Sequence, residues 1–179
     1  MEPDADLAAI GRLMGDPNQQ VAGALETLLI IAPPAPVSSL RGAARMRSLR
    51  WARMCYDHLA GVVGVAVTET LTASGAIGER DGAWVLGPRG ERLFGELGID
   101  AAAVPHRTRP LLRPCLDWTE RRHHAAGSLG AAFTGELSRR GWIRRVEGTR
   151  IVTVTPDGCA GLERWLGLDL DRLRADAAA

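Results

Sequence analysis

Apolar residues recur at helical spacing near the start of the chain. Leu7, Ile10 and Leu13 form one stripe between Asp4 and Met14, and Gly15-Asp16-Pro17-Asn18 stops that helix. Val21, Leu25, Leu28 and Leu29 mark a second apolar helix over 21–31, followed by the stiff run Pro33-Pro34-Ala35-Pro36. Ser38 or Ser39 then caps a third helix, which carries Arg41, Arg45, Arg47, Arg50 and Arg53 beside a Leu49, Ala52 and Cys55 stripe. This spacing predicts a helix that reaches His58 or beyond, with its arginines on a solvated face.

From there the pattern repeats. The first copy runs from Cys55-Tyr56-Asp57 through Gly61, a helix to Gly75, the turn Asp81-Gly82, the strand Ala83–Leu86, Pro88, another helix and Leu97-Gly98-Ile99-Asp100. The second runs from Cys115-Leu116-Asp117 through Gly127, a helix to Gly141, Glu147-Gly148, the strand Arg150–Val154, Pro156, another helix and Leu166-Gly167-Leu168-Asp169. Gly61 to Gly75 and Gly127 to Gly141 are equal intervals, and the copies differ mainly by six extra residues after Cys115. Each copy spells helix, glycine cap, β-hairpin and proline-started helix, the latter half of a winged-helix unit. The expected fold is mainly α with small β-hairpins (α+β): N-terminal helices over 1–36, a first winged-helix-like repeat over 37–104 and a second over 105–179. Gly61, Gly64, Gly127 and Gly130 are small enough for close approach between the copies.

Composition sharpens this only in places. With 46% hydrophobic residues the 179-residue chain can bury a core, and no apolar run approaches the roughly 20 residues of a membrane span. The acidic start and three widely spaced cysteines predict a cytoplasmic chain with free thiols, outside any membrane. The net charge is +1, and all 22 basic residues are arginine. The charge is uneven: residues 41–60 carry +4 and residues 105–150 carry +6, while the stretches between and around them are acidic. Two basic blocks on one side would give a positive face.

Chemistry concentrates in two places. Cys55, Asp57 and His58 lie within four positions, and Cys115, Asp117, Glu120, His123 and His124 within ten. If the helix continues, Cys55 and His58 share one of its faces, a set suited to zinc or another thiophilic metal, or to haem iron. The plainer alternative makes Cys55 and Cys115 small core residues, with the aspartates capping helices or pairing with arginines. Arg139 and Arg140 at a helix end, with Arg144, Arg145 and Arg150 on the following hairpin, are candidates for DNA phosphate contact; a helix-dipole and solvent role is the alternative. No P-loop, G-x-S-x-G, Rossmann glycine pattern or H-E-x-x-H occurs, so any catalytic role would fall on the same clusters.

The strings Cys55-Tyr56-Asp57-His58-Leu59-Ala60-Gly61, Cys115-Leu116-Asp117-Trp118-Thr119-Glu120-Arg121-Arg122 and Leu166-Gly167-Leu168-Asp169 resemble the C-terminal half of long actinobacterial ArsR-type transcriptional regulators. Leu7-Ala8-Ala9-Ile10-Gly11-Arg12-Leu13-Met14-Gly15-Asp16-Pro17 resembles the start of the same proteins. The resemblance implies a homodimer formed through the 21–31 helix and a small-molecule or metal ligand sensed between the repeats. It also implies a helix-turn-helix after Pro17, yet Asn18-Gln19-Gln20-Val21 leads straight into the dimerisation-like segment. The expectation is therefore a ligand-sensing regulator whose DNA-reading head is largely missing, or a regulator scaffold turned into a metal- or haem-dependent enzyme.

Overall fold

The computed structural model describes residues 39–177 apart from Thr108, together with Val21, Ala24, Leu28 and Ile31. The expected 4–14 helix and proline linker lie outside these residues. Of the 21–31 helix, the four described residues are helical and exposed.

Ser39 caps α1 (Leu40–Trp51), its hydroxyl accepting from the Gly42 N–H at 3.0 Å. None of the residues of α1 is buried. The helix does not run on to His58. Ala52 is extended, and the chain enters a tight hairpin of β1 (Arg53–Cys55) and β2 (His58–Ala60), with Tyr56 at φ 60° in its turn. The cause is a partner distant in sequence. The Met54 N–H donates to the Arg150 carbonyl and the Val152 N–H to the Ala52 carbonyl, so pairing with the second repeat replaces the helix's own ladder. Arg53 consequently leaves the solvated arginine face and is fully buried.

The mostly buried α2 (Gly61–Ala73) follows, then β3 (Ile77–Arg80) and β4 (Ala83–Leu86), joined by Asp81 and Gly82, both at positive φ as the turn requires. Next comes α3 (Gly90–Glu96). Pro88 does not start it. The proline sits in a turn closed by the Gly90 N–H on the Gly87 carbonyl, and the helix begins after that turn.

The second repeat has the same order: β5 (Arg113–Leu116), β6 (His123–Ala126), α4 (Gly127–Arg139), β7 (Ile143–Arg145), β8 (Val152–Val154) and α5 (Pro156–Leu166). Here Pro156 does occupy the first turn, behind a Thr155 cap, and α6 (Leu170–Asp176) closes the described chain. The structure is thus α+β, with six helices and four antiparallel hairpins among the described residues, and the two repeats are winged-helix-like. Each repeat also opens with a hairpin that the pattern of apolar positions does not announce.

One apolar core runs through both repeats, from Val63, Leu71 and Phe94 to Leu129, Phe133 and Leu162. The repeats exchange contacts reciprocally. The Leu59 N–H of β2 donates to Thr134 Oγ1 of α4 at 2.9 Å, and the Ala125 N–H of β6 donates to Thr68 Oγ1 of α2 at 2.8 Å. Each helix meets the other repeat's first hairpin closely. A Cβ at Gly64 would stand 3.8 Å from the His124 Cβ, and one at Gly130 would stand 3.6 Å from the His58 Cβ. This crossed packing brings the two hairpins together at the centre.

Candidate metal centre

The two hairpins carry matching sequences, Arg53-Met54-Cys55 with His58-Leu59-Ala60-Gly61, and Arg113-Pro114-Cys115 with His124-Ala125-Ala126-Gly127. In each, cysteine and histidine are direct cross-strand partners, Cys55 opposite His58 and Cys115 opposite His124. The pairing of Cys55 with His58 therefore comes from a hairpin and not from a helix face. The extra residues of the second copy lie in the loop between β5 and β6, which is why His124, three residues before Gly127, matches His58, three before Gly61.

All four side chains are buried, and their ligand atoms lie within 4.8 Å of one another. The Cys55 and Cys115 sulfurs are 3.8 Å apart, too far for a disulfide bond of about 2.05 Å. The Nε2 atoms of His58 and His124 are 3.1 Å apart. A tetrahedral zinc with Zn–S of about 2.3 Å and Zn–N of about 2.05 Å requires S···S near 3.8 Å and N···N near 3.3 Å. Both like-atom separations match within a few tenths of an ångström.

Behind each histidine stands a carboxylate. His58 Nδ1 is 3.2 Å from Asp57 Oδ1, and Asp57 is also paired with Arg109. His124 Nδ1 is 3.3 Å from Asp117 Oδ2, within ion-pair range but off the hydrogen-bond line. Asp117 is fully buried. It accepts from Arg53 Nη2 at 2.8 Å, from the Gly61 N–H at 2.7 Å and from the Thr119 hydroxyl at 2.7 Å. Burial raises its pKa, but contacts with His124, Arg53 and Thr119 outweigh this and hold the carboxyl well below the usual range.

If both Nδ1 atoms carry their protons on the carboxylate side, the two Nε2 lone pairs face each other. That contact is repulsive unless a cation or a proton lies between them. The two sulfurs are in hydrogen-bond contact, in which either thiol can donate. The contact with Cys115 and burial push the Cys55 thiol up to about 11, so without a cation it stays protonated. A thiophilic cation would take the thiolate and imidazole lone pairs together. Haem does not fit: four ligand atoms this close leave room for an ion and none for a macrocycle. The gap between the repeats nearby, lined by Leu59, Leu129 and Phe133 among others, measures about 10 Å3, roughly one water.

The other sequence candidates lie elsewhere. Glu120 pairs with Arg50 of α1 at 2.9 Å, and His123 is exposed and meets the edge of Trp84. Arg139 and Arg140 are both tied to Glu136, and Arg140 also donates to the Leu97 carbonyl. Arg144, Arg145 and Arg150 are exposed around the β7–β8 hairpin. Sequence reasoning allowed the two aspartates to pair with nearby arginines but did not name them; the partners are Arg53 and Arg109. The repeated arginine two positions before each cysteine was the available signal for the first.

No family model and no solved structure matches the chain. Over 153 residues it is 37% identical to the protein named "Uncharacterized HTH-type transcriptional regulator YdfF" of Bacillus subtilis (strain 168). That alignment covers 86% of this chain and 68% of the relative.

Proposed function

The chain belongs to the HTH-type transcriptional regulators, and on that premise we propose that it is a metal-responsive regulator of ArsR type. Its ligand is a thiophilic divalent cation, zinc by preference, held by Cys55, His58, Cys115 and His124. The observation that carries this reading is the four-ligand set itself, contributed equally by two repeats, with each histidine backed by a carboxylate.

Ligands drawn from both repeats make occupancy a clamp between halves already joined by a shared core, backbone pairing and the buried Arg53–Asp117 ion pair. Through Asp117 the clamp also touches the basic helix α1: Arg53 follows that helix directly, and Arg50 holds Glu120 in the same loop. Four protein ligands leave no open coordination position, which favours a holding role over catalysis. DNA contact, with the helix-turn-helix largely missing, falls to Arg144, Arg145 and Arg150, which supply phosphate attraction and little sequence reading. Dimerisation falls to the 21–31 helix, where Val21, Leu28 and Ile31 are 59%, 60% and 75% exposed.

The test is the metal content of the purified full chain, followed by replacement with cobalt. One equivalent of metal per chain and a thiolate-to-cobalt absorption band, lost in Cys55→Ala and Cys115→Ala, support the reading. A metal-free protein that takes up no zinc from a chromophoric chelator rejects it. For DNA, the slope of affinity against salt should fall by about one for each of Arg144, Arg145 and Arg150 replaced, whatever the duplex sequence.

A further inference from the structure

A second, larger space lies on the other side of α1. Between α1, β8 and α6 runs a groove of about 520 Å3, within the size range of small-molecule sites. Its floor is apolar: Val62, Val152 and Val154 are each at most 9% exposed. Its rim is basic. Arg47, Arg50 and Arg174 line it, and no acidic residue does among the described residues. Arg50 is engaged by Glu120, while Arg47 has no ion pair or hydrogen bond among the described residues. Arg174 lies over the Trp51 ring, 4.5 Å from its centroid.

Trp51 positions one of these arginines. Its ring holds Arg174 at the rim of the groove, so the Arg174 guanidinium stands beside the apolar floor together with that of Arg47.

We propose that this groove binds a small organic anion with an apolar body, such as a medium-chain carboxylic acid. Its carboxylate sits with Arg47 and Arg174, and its hydrocarbon lies over Val62, Val152 and Val154. The apolar floor excludes a purely hydrophilic anion such as inorganic phosphate, which would forgo that burial. The unbalanced positive rim disfavours a neutral lipid alcohol. The site is distinct from the metal centre and needs no metal.

The experiment is calorimetric titration of the full chain with octanoate, octanol and acetate. Octanoate should bind saturably at one per chain, octanol at least tenfold more weakly, and acetate without measurable heat. Arg47→Gln changes an exposed side chain and leaves the fold intact, so it should weaken octanoate about tenfold while leaving octanol unchanged. Absence of saturable octanoate binding overturns the proposal. So does acetate binding as tightly as octanoate, or an Arg47→Gln chain that binds octanoate as wild type does.

Discussion

Replacing Cys115 by alanine separates a metal ligand from a small buried hydrophobe, because the two roles predict different numbers. As a core residue, Cys115 is 8% exposed, and removing its sulfur costs about 1 kcal/mol whether or not metal is present. As one of four ligands it carries a share of roughly 10–16 kcal/mol of structural zinc binding, about 3 kcal/mol if the four share equally. At saturating zinc that loss returns as lost stability through mass action, since the ion binds only the folded chain. For a chain of this size each kcal/mol moves Tm by about 2–4 °C. Wild type and Cys115→Ala should then differ by about 10 °C in zinc and by no more than about 4 °C in excess chelator. Differential scanning calorimetry in the two buffers reads both gaps. Cys159→Ala is the control: half-buried in α5 and outside the cluster, it should show no chelator dependence. An equal gap for Cys115→Ala in zinc and in chelator would refute the metal reading and leave the cysteine as packing.

Asp117→Asn keeps the shape of the side chain but removes the charge that the buried Arg53 guanidinium bonds; denaturant unfolding should show a loss of about 3–5 kcal/mol. The same variant should bind zinc about 10–100-fold more weakly in chelator competition, because His124 loses its carboxylate support. Gly64→Ala and Gly130→Ala would place a Cβ 2.5 Å from the Leu59 carbonyl oxygen and 2.6 Å from that of Ala125. Each should cost about 2–3 kcal/mol by urea titration, and nearly equal values would reflect the matched positions. Thr134→Val should speed hydrogen exchange at the Leu59 amide alone and Thr68→Val at the Ala125 amide alone, each with a loss of about 1–3 kcal/mol. Acceleration at both amides in either variant would mean the two contacts are not independent.

The features legible from the sequence are those set by neighbours a few residues apart. Ser39 caps its helix because a hydroxyl reaches an N–H three residues on, and Asp81-Gly82 turns its hairpin because both residues accept positive φ. The duplication was equally plain, since equal glycine intervals survive without any knowledge of packing. Pro88 shows where the same local logic fails: its ring suits a first helical turn, but the chain spends one more turn before α3.

The metal centre was legible only in part. The titratable clusters stood out, yet the spacing of Cys55 and His58 suits a helix face as well as a hairpin, and local sequence does not choose between them. The choice was made by the Arg150 carbonyl and the Val152 N–H, which bond the segment just after α1 from about a hundred residues away. That same approach carried Arg53 from solvent to Asp117 and brought two cysteine–histidine pairs, sixty residues apart, within a single ion's reach. The sequence by itself determined a repeated helix-and-hairpin unit with an apolar interior. Only the tertiary structure decided that the repeats cross, each helix against the other's hairpin. Local propensity acts over a few residues, whereas a site shared by two hairpins exists only once both helices have buried their apolar sides.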